Sequence, residues 1–199
     1  MRKLFLAAPV MALVMLVATT AQAAVKVGEA APDFSLENHK GETVNLSDLK
    51  GKIVVLEWFN EECPYVVKHY KQGHMQKLAN KYAEKGVVWL AINSTNGKTN
   101  ADNASVADKW SMPMAILNDS DGTVGKQYGA TNTPHMYVID AEGKIAYMGA
   151  IDSDRSADTS KVDGATNYVA EALDALLAGE SVKTAETRAY GCSVKYPRK

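Results

Sequence analysis

Between Ile53 and Phe59 the chain is almost continuously apolar, and Cys63-Pro64 follows within a few residues. A run this short and this apolar suits a strand buried on both faces, which requires a sheet covered on both sides. Proline is favourable at the first helical position, because the amide hydrogen it lacks would have no intrahelical partner. The pair therefore predicts a helix opening at Pro64, with Cys63 where a strand's carboxyl end meets a helix. Val67, Tyr70, His74, Leu78 and Tyr82 then recur at helical spacing. Gly73 interrupts them at a cost of roughly 1 kcal/mol relative to alanine, which predicts a bend. The segment "GVVWLAIN" supplies the next buried strand, so the unit is β-α-β and the class is α/β.

The flanking segments fill in the order. Phe34 and Leu36 alternate with polar residues, 38–41 supplies a turn, and Val44 and Leu46 alternate again, predicting an N-terminal β-hairpin. Ser47 is the expected N-cap of a single turn ending at Leu49. The polar stretch 94–105 predicts a loop leading to a helix over 106–111. A short strand in "MAILND", a short helix over 123–128, and two strands joined by a Glu-Gly turn in "HMYVIDAEGKIAYMGAI" come next. Segment 152–164 is expected as a solvated insertion. A helix over 167–177 closes the domain on Val169, Leu173, Leu176 and Leu177, and an irregular C-terminal tail carries Cys192.

The leader speaks to the compartment. Arg2 and Lys3 precede an uncharged apolar run from Leu4 to Ala18, and Ala21-Gln22-Ala23 is a small-x-small cleavage pattern. This predicts a signal peptide over 1–23 and an exported protein, in a bacterium the periplasm. The alternative is an uncleaved leader that anchors the protein facing the same compartment. What remains is about 175 residues, the size of one domain over 24–180 with a tail over 181–199. Without Arg2 and Lys3 there are 20 basic and 23 acidic residues. That balance supplies neither a basic stripe for nucleic acid nor a polybasic membrane patch. No second membrane span and no cofactor are expected.

Cys63 carries the chemistry. A helix N-terminus favours an anion and so favours the thiolate, which is the nucleophilic form of cysteine. Glu57, Glu61 and Glu62 act in the opposite sense, and a buried structural thiol is the alternative reading. The second marker is "TNTPHMYVID". Pro134 after Thr133 and before a strand fits a cis peptide presenting a backbone edge, or else a trans proline opening an edge strand. His135 follows Pro134 and is expected to be a hydrogen-bonded or solvated strand histidine; the alternative, an approach to Cys63 that would suggest a soft-metal site, is not favoured, and no metal is assigned. Asp119, Asp121 and Gly122 are expected in a turn rather than a calcium loop.

The succession strand, Cys-Pro, helix, strand, helix, Thr-Pro, hairpin, helix resembles a thioredoxin fold. Together with "APDFSL", "LSDLKGKIVVLEW", "CPYVVKHY" and the late "GCSVKY", it is similar to the redoxin branch, the alkyl hydroperoxide reductase and thiol-specific antioxidant superfamily. The resemblance implies a central mixed sheet flanked by helices and Cys63 as nucleophile next to Pro64. It also implies Pro134 as the cis-proline facing Cys63 and Thr133 as a backbone edge for a substrate strand. The chain departs from true peroxiredoxins in having Asn60 and Leu56 in place of their threonine and proline, and Pro134 where they often carry an arginine.

The implied substrate is a disulfide or a peroxide, and the implied partner is an external thiol reductant. A dithiol enzyme of this fold would carry its second cysteine at Val66, so Cys192 is the internal candidate for a resolving thiol. A permanent Cys63-Cys192 staple, or an external resolver, stands beside that reading. So does a catalytically silent binding protein, holding a metal or a protein, built on the same scaffold.

Overall fold

The computed structural model describes residues 25–198, so the predicted leader over 1–23 lies outside the described residues. A hairpin of β1 (Ser35–Glu37) and β2 (Thr43–Asn45) leads through a 3-10 turn to β3 (Val54–Trp58). The turn is preceded by Asn45 rather than capped by Ser47, whose amide donates instead to Asp33. Helices α1 (Pro64–Tyr70) and α2 (His74–Ala83) follow, then β4 (Val88–Asn93), α3 (Asn100–Lys109), β5 (Ala115–Asn118) and α4 (Thr123–Tyr128). The chain continues through β6 (Asn132–Thr133), β7 (His135–Ile139), β8 (Ile145–Gly149) and α5 (Tyr168–Leu177), and ends near β9 (Cys192–Ser193).

The central sheet has the order β5-β4-β3-β7-β8. Strands β3, β4 and β5 are parallel, while β7 and β8 run antiparallel, giving a mixed sheet. Strand β3 is buried along its whole length, as its apolar run requires. Alternation sends Val55 into the layer shared with α1, α2 and α5, and sends Val54, Leu56 and Trp58 into the layer shared with the hairpin and α4. Glu57 lies on the Val55 face and is fully enclosed.

Several expectations are corrected. The bend at Gly73 is a full break: its φ of 75° is left-handed, and α2 restarts after it. The restart resets the helical phase, so the buried apolar residues are Val66, Tyr70, Met75, Ala79 and Tyr82, while Val67, His74 and Leu78 are only half-buried. Helix α3 begins at Asn100 inside the expected loop, because Thr99 and Asp102 form a capping box. In α5 the buried residues are Val169, Ala172 and Leu173, and Leu177 is exposed. The tail, expected to be irregular, adds strand β9 to β6.

Candidate functional site

The residues before Cys63 form a turn pinned to the sheet. Asn60 accepts the Glu62 amide through Oδ1 (2.7 Å), its carbonyl accepts the Cys63 amide (3.1 Å), and its Nδ2 donates to the Thr95 hydroxyl two residues beyond β4 (3.0 Å). Cys63 is thereby the N-cap of α1, with its carbonyl accepting the amides of Val66 and Val67. The side chain points inward, leaving Cys63 only 2 % exposed, and its thiol donates to the Thr133 carbonyl at 2.9 Å.

Thr133 precedes a cis peptide to Pro134. Its strand, β6, pairs antiparallel with β9 so that Thr133 faces Cys192 and Asn132 faces Ser193. The Asn132 amide group donates to the Gly191 carbonyl, and the Val194 amide donates to the Thr131 carbonyl. Gly191 makes this approach possible. Its φ is 112°, and a Cβ there would lie 2.1 Å from the Thr133 carbonyl oxygen. The structure thus brings Cys63, Pro64, Thr133, Pro134 and Cys192 together, with both cysteines as thiols.

The two thiols are poised oppositely. Burial works against ionisation of Cys63, but it is outweighed by the Thr133 side chain, the Cys192 thiol and the Cys192 and Val66 amides; the net effect holds Cys63 below the ordinary thiol value. Cys192 is pushed up to about 11, first by burial and then by its hydrogen bond to Cys63 and the charge Cys63 would carry. Cys63 is thus the more easily ionised of the two, and Cys192 the one that keeps its proton.

The neighbouring acids are not free to oppose this. Lys98 Nζ lies 2.5 Å from a Glu61 oxygen and 3.2 Å from a Glu62 oxygen. Burial raises Glu57 to about 7, despite hydrogen bonds from Tyr70 and Trp89. His135 does not reach Cys63. The strand alternation places it on the face of Tyr137, with ring centroids 4.7 Å apart, while its Nδ1 accepts the Thr131 amide. Burial lowers it to about 4. Asp119 caps the start of α4 by accepting the amides of Val124 and Gly125. Among the described residues no group of three or more His, Cys, Asp or Glu is placed to hold a metal, and no helix is long and apolar enough to cross a membrane.

Sequence reasoning missed Lys98 as a counter-charge, and it missed the meeting of Lys68 with Asp152 and Tyr190. These last three meet beside α1, with Asp152 buried rather than part of a solvated insertion. Nothing in the local pattern marks them, since a lysine and an aspartate 84 residues apart pair only through the fold.

Comparison with known proteins follows the same lines. The family model described as "AhpC/TSA family" matches residues 27–148. The thioredoxin-like protein YneN of Bacillus subtilis is 33% identical over 61% of this chain and 69% of its own length. A thiol-disulfide oxidoreductase ResA from Bacillus thuringiensis is 30% identical over 63% and 70%. The peroxiredoxin bcp of Coxiella burnetii is 33% identical over 53% and 67%. Among solved structures, an uncharacterized conserved protein from Geobacillus kaustophilus superposes with a TM-score of 0.76 at 31% identity, covering 87% of this chain and 94% of that one. A thiol:disulfide interchange protein DsbE from Chlorobium tepidum gives 0.60 at 25% identity, covering 75% and 99%. The shared architecture is the thioredoxin fold.

Proposed function

The chain belongs to the AhpC/TSA family and is a redoxin-type thiol oxidoreductase, and from that premise we propose that it exchanges disulfides in an exported setting, with Cys63 as nucleophile and Cys192 as resolving thiol. The observation that carries this reading is the Thr133–Cys192 register, which sets the Cys192 thiol beside the more easily ionised Cys63.

The chemistry balances. The Cys63 thiolate attacks one sulfur of a substrate disulfide, forming a mixed disulfide and expelling the other sulfur as a thiolate. Consuming the Cys63 charge also removes one influence that raises Cys192, so the second thiol ionises more easily at the moment it is needed. Cys192 then attacks Cys63 Sγ, releasing the second substrate thiol and leaving a Cys63–Cys192 disulfide. An external thiol reductant restores both thiols. The Thr133 backbone edge is paired with β9 and its carbonyl accepts the Cys63 thiol, so an extended substrate takes that edge only when the tail carrying Cys192 is displaced, with Pro64 and Pro134 shaping the approach.

Peroxide reduction is the second reading, favoured by the peroxiredoxin relative. There Cys63 gives a sulfenic acid and Cys192 condenses with it, releasing water. Asn60, standing where true peroxiredoxins carry threonine, is occupied by its turn contacts, which favours disulfide exchange. Export rests on the leader over 1–23, with the redoxin domain over 24–180 and the tail over 181–199 as its working parts.

The test is to reduce the protein fully, add one equivalent of either oxidised glutathione or hydrogen peroxide, and locate modified cysteines by mass spectrometry. A Cys63–Cys192 disulfide forming faster with glutathione disulfide supports exchange, and faster with peroxide the second reading. Cys63→Ser should abolish turnover with the fold intact. If both thiols stay free with either oxidant, the pair is not the redox centre.

A further inference from the structure

Tyr190 ties the tail to the nucleophile's own helix. Its hydroxyl donates to Asp152 Oδ1 at 2.5 Å, and Asp152 is only 2 % exposed. Lys68 is enclosed beside them. Its Nζ donates to the Asp154 carbonyl at 2.6 Å, lies 3.8 Å from Asp152 Oδ1, and sits 5.0 Å from the centre of the Tyr190 ring. His69 Nε2 is 3.4 Å from the same hydroxyl and 3.9 Å from Asp152 Oδ2, an oxygen with no hydrogen-bond partner. Tyr65 meets the Tyr190 ring edge-on at 6.0 Å.

Tyr65, Lys68 and His69 all belong to α1, which begins immediately after Cys63. The helix therefore carries the nucleophile at its start and the anchor of the tail along its side. Only Gly191 separates Tyr190 from Cys192, and Gly191 is itself pressed against the Thr133 carbonyl. Fixing Tyr190 fixes Cys192. A buried ion pair is a poor way to add stability, because its desolvation offsets much of its attraction. An apolar anchor would hold a tail as well; a hydroxyl with one geometry holds it in one register.

We propose that Tyr190 is a positioning residue, its hydroxyl held by Asp152 and its ring covered by Lys68, that seats Cys192 opposite Thr133 and so sets how readily the Cys63–Cys192 disulfide closes and how well Cys63 is shielded. The proposal rests on the reading that these two cysteines form the redox pair. On closure the two thiols give up two electrons and two protons, and a disulfide such as oxidised glutathione takes them to become two thiols. A loosened tail keeps Cys192 within reach for less of the time, lowering its effective concentration at Cys63.

Tyr190→Phe deletes the hydroxyl and keeps the ring against Tyr65 and Lys68. The protein is equilibrated with glutathione buffers, and the Cys63–Cys192 disulfide is quantified by alkylation and mass spectrometry. A hydrogen bond to a charged group is worth about one to two decades in an equilibrium constant. We expect the disulfide to be about tenfold less favoured, which moves the potential about 30 mV less negative. In a Cys192→Ser background, Tyr190→Phe should also speed alkylation of Cys63 by a bulky maleimide several-fold. A lowered melting temperature with the potential and the alkylation rate unchanged would mean that the hydroxyl only stabilises the fold, and the proposal falls. If the unsubstituted protein forms no such disulfide in any buffer, the redox-pair reading fails first and takes this one with it.

Discussion

Glu57 offers a test of the electrostatics that can be worked through in numbers. It is fully buried in β3, and one oxygen accepts hydrogen bonds from Tyr70 (2.8 Å) and Trp89 (3.1 Å) while Oε1 has no partner. Burial raises it from 4.5 to about 7. Between these values the native state holds a proton that the unfolded state has lost, so stability falls as pH rises through the window and is level above it. At about 1.4 kcal/mol per pH unit the loss totals about 3 kcal/mol. Glu57→Gln removes the titration. It keeps an acceptor for Tyr70 and Trp89 but places an amide N–H where Oε1 is unpartnered, at a pH-independent cost of about 1–3 kcal/mol.

The assay is urea denaturation of both proteins from pH 4.5 to 8, read as the difference between variant and original. The variant should be the less stable of the two at pH 4.5 and gain about 3 kcal/mol relative to the original by pH 8. Burial lowers His69 to about 3 and His135 to about 4. Their neutral burial stabilises above the unfolded value of 6.5 and is lost as pH falls toward those lower values, opposite in slope to Glu57. Both histidines are common to the two proteins, so they cancel in the difference. A difference that stays flat within about 0.5 kcal/mol, a surface-substitution effect, would refute the claim that Glu57 is held protonated by burial.

Three further outcomes follow from single positions. Gly191→Ala puts a Cβ 2.1 Å from the Thr133 carbonyl at a left-handed φ, so the tail should unseat, and tryptic cleavage after Arg188 should speed markedly; an unchanged digestion pattern would contradict the tight approach. Gly73→Ala meets open space but keeps a φ of 75°, so unfolding in urea should show a loss of about 1–2 kcal/mol from conformation alone, and a gain would mean that α1 and α2 can join. Lys98→Met leaves Glu61 and Glu62 without their counter-charge; the pH profile of Cys63 alkylation should shift upward, and a fixed profile would show that Lys98 does not screen the thiol.

Cys63 was legible in the sequence because its setting is local. An apolar run, a turn and a proline at the first helical position specify strand, junction and helix within a dozen residues, and β3 and α1 follow that pattern. The hairpin and α4 were equally local. Where periodicity was extended across Gly73 it failed, because a left-handed residue between helices discards the phase that the spacing argument assumes. Helix α3 was misplaced for a related reason: its polar first turn resembles a loop in composition, and only the Thr99-Asp102 spacing marks the cap.

The Cys192 side of the site lay beyond any such pattern. A strand of two residues has no period, so β9 is indistinguishable from coil until β6 is placed beside it. The placement is decided by groups that look incompatible with an interior: a lysine on α1, an aspartate in a polar insertion, and a tyrosine in the tail. The lysine and the aspartate alone would be expected at the surface, because burying either charge unpaired is prohibitive, and the tyrosine hydroxyl needs a partner to be buried. Together they neutralise and hydrogen-bond one another, which makes the tail's position a property of the assembled fold. That is also why the two cysteines can differ so sharply. On the proposed reading, Cys63 takes its reactivity from a junction written in its own neighbourhood, whereas Cys192 takes its role from the tail that Tyr190 holds, without lying next to Cys63 in sequence.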